Sequence, residues 1–310
     1  MPGLSATRRT GGALTVLALA AAPCFAHEAA GDARATEPWV IACLALSIGL
    51  YALGWLRLHR RATHSHRVWR RRGLAFGAGW LALVLALLSP LDELGTRSFA
   101  AHMLQHELLM AVAAPLLVAA HPLGTWAWAL WPPARHAIGA ALHRPAWRRL
   151  WRWLCVPATA WSLHAIALWG WHAPVLFDAA LHDPALHTVQ HIAFLASALL
   201  YWWTVLRAQT RAAQGVAVAS LFATMLHSGA LGALLALSPQ AWYGAYAGGT
   251  ATLGLTLLED QQLGGLLMWV PAGLIYLAAG LALAARWGDL ADDAPRAACR
   301  APALPDKAGH

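Results

Sequence analysis

Residues 100–120 read AAHMLQHELLMAVAAPLLVAA, an apolar stretch whose polar side chains are confined to its first third. About 20 such residues are the length of a helix that crosses the hydrocarbon core of a bilayer. Similar stretches lie at 38–57, 73–90, 153–172, 186–206, 215–237 and 263–285. They are expected to be helical, because unpaired backbone groups cannot face lipid. The sequence therefore predicts an all-α integral membrane protein with seven transmembrane helices, in a membrane domain spanning 38–286.

The composition excludes several other classes of protein. Hydrophobic residues make up 59% of the chain and charged residues only 12%, about half the share of a soluble domain. The net charge of +8 does not indicate nucleic-acid binding, because the arginines cluster between the apolar stretches. The only lysine is Lys307, so no residue is available for a retinal Schiff base inside the membrane. Four scattered cysteines without a CxxC pair argue against a disulfide scaffold or a thiolate metal site.

The N-terminus has the pattern of a secretory signal peptide. Arg8 and Arg9 precede an apolar run over 13–22, and small residues lead up to Ala26. Cleavage after Ala26 would remove residues 1–26, leave a short outer segment 27–37, and expose His27 and Glu28 as an N-terminal chelator for copper. The alternative is an uncleaved signal anchor, and both alternatives place residue 27 outside the cytoplasm.

The distribution of basic residues predicts the orientation. They are concentrated at 8–9, in the connections 57–72, 121–152 and 207–214, and in the tail 287–310 with the adjoining Arg286. Only Arg34 and Arg97 fall on the other side. Because positively charged loops stay in the cytoplasm, the C-terminus is predicted to be cytoplasmic and its tail poorly ordered.

Two histidine pairs are the strongest candidates for chemistry. The pattern H-x-x-Q-H occurs at His102–His106 and again at His187–His191, near the predicted outer ends of two spans. Histidines four residues apart lie on one helix face, where both can reach one metal ion. The two pairs at one depth therefore predict a four-imidazole site just below the outer surface.

Further candidate ligands fall at the same depth: Met103, His172 and Asp260. Imidazole with thioether suits copper better than magnesium or calcium, which require oxygen ligands, and zinc is compatible with the ligand types. Other interpretations are a helix cap for Asp260 and hydrogen bonds between helices for His164 and His227. Alternatively, the metal has a structural role and holds the two histidine-bearing helices together.

Three blocks of the sequence resemble the CtaG-type cytochrome c oxidase assembly factors. They are HMLQHELLMAVAAPLL at 102–117, residues 169–191 with the following Phe194, and LEDQQLGGLLMW at 258–269. The resemblance implies a seven-helix protein of the bacterial inner membrane that is needed to mature a heme–copper oxidase. The matching residues are His102, His106, His172, His187, His191 and residues 260–262. The cysteine pair of other oxidase copper chaperones is missing.

These observations lead to one main hypothesis and its alternatives. The chain is expected to bind copper through His and Met at the outer membrane face and to pass it to an oxidase subunit by ligand exchange. No covalent step is needed, so it is not expected to be an enzyme. The alternatives are a heme-binding protein, a scaffold with a structural metal, and a copper transporter. The last lacks a continuous row of deep polar residues. The partners expected are the oxidase subunit and the bilayer.

Overall fold

The computed structural model describes residues 38–60 and 66–298, with only the backbone described at 66 and 286–298. The predicted signal peptide, the segment 27–37 and the chelator at His27 lie outside the described residues. The helices are, in chain order, α1 (Pro38–His59), α2 (His66–Leu87), α3 (Pro90–Gly95), α4 (Phe99–Ala120), α5 (Pro122–Ala129), α6 (Pro132–Leu142), α7 (Pro145–Leu154), α8 (Pro157–Trp171), α9 (Pro174–His182), α10 (Pro184–Leu206), α11 (Arg211–Leu237) and α12 (Leu257–Ala298). Two 3₁₀ turns, Gly244–Tyr246 and Thr250–Leu253, precede α12.

The described part of the chain contains helices and no strands, which confirms the all-helical prediction. Five helices are long and apolar enough to cross a membrane: α1, α4, α10, α11 and the part of α12 that ends at Ala285. The other two predicted spans are also helical, as α2 and α8. However, α2 carries three arginines at 70–72, and α8 has only 15 residues. Seven spans and their orientation therefore stay predictions.

The two helices that carry the histidine pairs have well-defined beginnings. In α10 the carboxylate of Asp183 accepts hydrogen bonds from the backbone N–H groups of Ala185 and Leu186. In α4 the hydroxyl of Ser98 accepts from the N–H of Ala101. Such caps satisfy backbone donors that have no partner within the helix, so they fix the residue at which each helix starts.

Helix α4 is the centre of the bundle and is not a regular α-helix. Over its apolar window 61% of the residues are buried, against 17–33% for the other four candidate spans. A π-helical turn at Leu108–Ala113 separates α-helical segments on either side. Pro115 follows directly and has no N–H to donate to the preceding turn, which accounts for the irregular hydrogen bonding. The turn changes the face that α4 presents after Glu107.

Two ends of the bundle can be distinguished by their side chains. The histidine end holds the starts of α1, α4 and α10 and the end of α8, where the predicted ligands lie. The basic end holds the end of α1, the start of α2, the connection from α4 to α8, and the end of α10 with Arg207. A cavity at the histidine end is lined by the starts of α1 and α10, the end of α2 and Leu109 of α4. A cavity at the basic end is lined by the end of α1, the start of α2, the start of α5 and the end of α10.

A candidate metal centre

Five histidines from three helices form a cluster at the histidine end. The ring centroids of His102 and His106 on α4 are 4.4 Å apart, and those of His187 and His191 on α10 are 4.2 Å apart. The two pairs face each other, with 5.3 Å between His102 and His187 and 5.4 Å between His106 and His191. His172, at the end of α8, lies 5.9 Å from His106. The structure thus brings together all five histidines that the sequence singled out.

Three of these side chains can share one ion. One ring nitrogen from each of His102, His106 and His191 lies within 4.8 Å of the other two. Ligands at about 2.0 Å from an ion lie roughly 3.3 Å apart in tetrahedral geometry. The nitrogens therefore need to approach by at most about 1.5 Å when an ion binds, a movement within the reach of side-chain rotation.

Burial makes this cluster costly without a ligand. The exposed fraction is 0% for His102, 1% for His106, 2% for His172 and 9% for His191, whereas His187 is partly exposed. Neither ring nitrogen of His106 has a hydrogen-bond partner among the described residues. A buried polar group without a partner costs about 1–3 kcal/mol. The unpaired nitrogens of His106 make the cluster a candidate ligand site.

Hydrogen bonds outside the cluster fix which nitrogens face inward. The hydroxyl of Tyr246 donates to the carbonyl oxygen of Gly95, 3.2 Å away, and lies 2.9 Å from Nδ1 of His102. Since that hydroxyl has only one hydrogen, Nδ1 of His102 is the donor to Tyr246. Nε2 of His102 then carries the lone pair, and it has no hydrogen-bond partner within the described residues. Such outer hydrogen bonds orient metal-binding histidines and increase their basicity.

His172 is oriented in the same way. Its Nδ1 lies 2.6 Å from the carbonyl oxygen of Leu168 and must donate to it. Its Nε2 then has the free lone pair and lies 3.4 Å from Sδ of Met103. The nitrogen and the sulfur are both acceptors, and neither carries a proton to share. An ion bound near both would therefore have one nitrogen ligand and one sulfur ligand.

Asp260 occupies a different place from the one expected of a ligand. Its carboxylate accepts hydrogen bonds from the hydroxyl of Ser98 at 2.6 Å and from the N–H groups of Phe99 at 2.6 Å and Ala100 at 3.3 Å. It therefore caps the start of α4 from α12. Its own helix is capped by Glu259, whose Oε2 accepts from the N–H and the hydroxyl of Thr256 at 2.8 Å. Asp260 thus positions the histidine helix, and its oxygens are occupied.

Aromatic rings enclose the cluster. The ring of Phe194 lies 4.5 Å from that of His106, and the ring of Phe177 lies 5.1 Å from that of His102. Both phenylalanines are fully buried. They exclude water, which strengthens electrostatic interactions with any ion inside.

A crevice connects the cluster with the side of the bundle. It is a cavity of about 270 Å³ between α1, α2 and α10, and its walls are mostly apolar. Its few polar groups are those of Cys43, Ser47, Thr188 and His191. His191 is the least buried of the three histidines that can share an ion, and it is the one that the crevice reaches. The cluster is therefore accessible from the membrane side of the bundle.

Two features of the site were not predicted from the sequence: the hydrogen bond from His102 to Tyr246 and the π-helical turn in α4. No local pattern marks Tyr246, which lies in a short 3₁₀ turn far along the chain from His102. The proline at 115 was the visible signal for the irregular helix. His164 lies apart from the cluster, with its Nδ1 3.1 Å from the hydroxyl of Ser197, consistent with a contact between helices.

Comparison with known protein families matches residues 49–289 to a family described as cytochrome c oxidase caa3 assembly factor. The matched range covers more than three quarters of the chain and contains all five clustered histidines. No curated protein and no solved structure matches this chain.

Proposed function

Since the chain belongs to the family of cytochrome c oxidase caa3 assembly factors, we propose that it binds copper in the histidine cluster and delivers it to an oxidase subunit. The observation that carries the proposal is the side chain of His106. It is 1% exposed, its two nitrogens lack hydrogen-bond partners in the described part of the chain, and the imidazoles of His102, His172 and His191 lie around it. A bound ion would provide a partner for the one of these two nitrogens that carries the lone pair.

The charge of the site favours monovalent copper as the cargo. The donors of the cluster are neutral imidazoles and, beside His172, the thioether of Met103, and the carboxylate of Asp260 accepts hydrogen bonds from the start of α4. Without an anionic ligand, a divalent ion would place twice the charge in a buried, low-dielectric site. Imidazole and thioether ligands are also those that suit Cu(I). Zinc would satisfy the nitrogen donors but leave its charge uncompensated.

Delivery would proceed by exchange of ligands. His191 lies at the crevice, so an approaching donor from the oxidase subunit can replace this histidine first. The hydrogen-bonded His102 and the enclosed His106 would then release the ion in turn. No bond within the protein is made or broken, so the chain acts as a carrier and not as an enzyme.

The same distances weigh against heme. Two imidazoles that ligate one heme approach opposite faces of a flat macrocycle, which needs an open slot between them. Here the imidazole rings are 4.2–5.9 Å apart at their centroids, and the rings of Phe177 and Phe194 contact the cluster. The space fits an ion rather than a porphyrin.

The test is copper binding and oxidase maturation in matched histidine variants. Wild type, His102→Ala/His106→Ala and His164→Ala would be purified in detergent, loaded with Cu(I) under reducing conditions and analysed for copper content. His164 is a matched control, because it is as buried as His106 but lies outside the cluster. We expect one copper ion per chain in wild type and in the control, and none in the double variant.

Delivery needs a second measurement, since a structural metal would give the same copper content. In the first experiment, copper-loaded protein would be mixed with a copper-free soluble fragment of the oxidase, and the transfer of copper would be followed. In the second, cells that carry each variant would be assayed for oxidase activity. Transfer in minutes and loss of oxidase in the double variant alone would support delivery. Retention of copper during the incubation, or normal oxidase in the double variant, would contradict it.

A further inference from the structure

A second cavity lies at the basic end, on the opposite side of the bundle from the histidines. Its volume is about 330 Å³, and it is formed where the end of α1, the start of α2, the start of α5 and the end of α10 meet. Its polar and charged walls are Arg72, His121, Thr125 and Arg207, and its aromatic walls include Trp128 and Trp203. The proposed copper function uses none of these residues.

The guanidinium of Arg207 is held in place on two sides. Its carbon Cζ lies 4.0 Å from the ring centroid of Trp203, a cation–π contact. One of its nitrogens lies 2.8 Å from Nδ1 of His121 and donates to it. His121 itself has a left-handed backbone conformation, with φ 53° and ψ 51°. A left-handed residue commonly ends a helix, and here it turns the chain from α4 into α5.

Among the described residues, no acidic side chain lines this cavity. The lining contains two arginines and no aspartate or glutamate. Among the described residues the one ion pair is Arg97–Glu93, which lies at the histidine end of the chain's fold. Burial, Arg207 and Arg72 together lower the pKa of His121, which shows that both cations lie near this imidazole. Two arginines and an imidazole thus face one space that no described carboxylate lines.

A helix N-terminus adds to the same field. Helix α5 begins at Pro122, and its first residues Leu123, Gly124 and Thr125 line the cavity. No side chain caps this end. The free N–H groups and the helix dipole at an uncapped N-terminus favour an anion, and phosphate is the anion most often bound there. A side chain added at Gly124 would meet no atom within 4 Å, so the cavity is open at this point.

We propose that this cavity binds a phosphate group, between the guanidinium groups of Arg72 and Arg207 and the N-terminus of α5. Arginine binds phosphate with paired hydrogen bonds, and the tryptophan walls suit a position at the membrane interface. The same chemistry is offered by the headgroup of an anionic phospholipid and by free phosphate. Basic pockets between membrane helices bind anionic headgroups in this manner.

The test uses the full chain in detergent and three phosphate probes. Phosphatidylglycerol, phosphatidylcholine and inorganic phosphate would each be titrated, with the lipids followed by native mass spectrometry and inorganic phosphate by thermal shift at constant ionic strength. If phosphatidylglycerol binds and inorganic phosphate does not, the cavity is a lipid site. If inorganic phosphate binds, the cavity is a site for the free ion. No preference for phosphatidylglycerol over phosphatidylcholine, together with no effect of inorganic phosphate, would overturn the proposal.

Charge-removing variants locate the site. Each arginine near an anionic headgroup is expected to contribute about fivefold in affinity, so Arg72→Ala/Arg207→Ala should bind about 25-fold more weakly. Arg149→Ala is the matched control, because Arg149 is exposed on α7 and lies outside the cavity. Arg207→Gln keeps a donor toward His121 and should lose about fivefold, which covers the case in which the double variant does not fold. Equal binding by Arg207→Gln and wild type, or an equal loss in Arg149→Ala, would contradict the assignment.

Discussion

Replacement of His106 by leucine is predicted to stabilise the metal-free protein or leave it unchanged, while it abolishes copper binding. This outcome is unusual, because most substitutions of buried residues destabilise a protein by about 1 kcal/mol. The reason is that the two ring nitrogens of His106 are buried without hydrogen-bond partners within the described residues. Leucine is close to histidine in volume and has no polar atom to satisfy.

The expected size of the effect follows from the contacts of His106. Removing an unsatisfied buried polar group recovers about 1–3 kcal/mol. The substitution also removes the ring contact with Phe194, at 4.5 Å between centroids, which lowers the free energy of unfolding by about 0.5–1.5 kcal/mol. The free energy of unfolding of the metal-free variant should therefore lie between about 0.5 kcal/mol below and about 2.5 kcal/mol above that of wild type.

His164→Leu is the matched control with the opposite expectation. His164 is equally buried, but its Nδ1 lies 3.1 Å from the hydroxyl of Ser197 and its ring stacks on Tyr201 at 5.3 Å. Loss of the hydrogen bond and of the stacking should destabilise the protein by about 1–3 kcal/mol. The two leucine variants should thus differ by several kcal/mol although both replace a buried imidazole.

The assay is thermal unfolding in detergent, with a copper chelator and then with excess Cu(I). A ligand at 100 times its dissociation constant stabilises a protein by about 2.7 kcal/mol. Wild type and His164→Leu should gain stability with copper, and His106→Leu should not. If the metal-free His106→Leu protein is destabilised as much as His164→Leu, His106 has partners that the argument excludes, and the reasoning is refuted.

Three further variants test the surroundings of the cluster. Tyr246→Phe removes the hydrogen bond to His102 and should weaken copper binding about 10–100-fold without changing the stoichiometry, as measured by competition with a Cu(I) chelator. Asp260→Asn weakens the cap of α4 and should lower the free energy of unfolding by about 1–2 kcal/mol while copper content stays the same; loss of copper would show that the carboxylate is a ligand. Gly265→Ala would place Cβ 2.5 Å from a backbone nitrogen of α11, so α11 and α12 would have to move apart. The free energy of unfolding should fall by about 1–3 kcal/mol. The control is Gly273→Ala, whose Cβ would meet no atom within 4 Å and which should leave the free energy of unfolding unchanged.

The histidine cluster could be predicted from the sequence because its information is local. Spacing of four residues places two imidazoles on one helix face wherever the helix lies in the fold. Length and apolar character likewise identify the candidate spans α1, α4, α10, α11 and α12. These features depend on helix geometry alone, and the family match agrees with the resemblance seen in the same residues.

The parts that could not be predicted depend on contacts between distant segments. The hydroxyl of Tyr246 reaches His102 across 144 residues of sequence, and Asp260 caps a helix 160 residues earlier. An acidic residue in the first turn of a helix normally caps its own helix, and Glu259 follows that rule while its neighbour does not. Only the packing of α12 against α4 determines that Glu259 caps its own helix and that Asp260 caps α4.

Helix α4 connects the two proposed sites and separates them enough for independent tests. It carries the histidine pair near its start and ends at Ala120, next to His121 in the basic cavity, which is 15 residues and about 22 Å beyond His106. Substitutions this far apart with no shared contacts act additively on stability. The Arg72 and Arg207 variants should therefore keep their copper, and the His102 and His106 variants should keep their phosphate binding. Loss of both activities in either set would indicate a folding defect, so each proposal can fail without affecting the other.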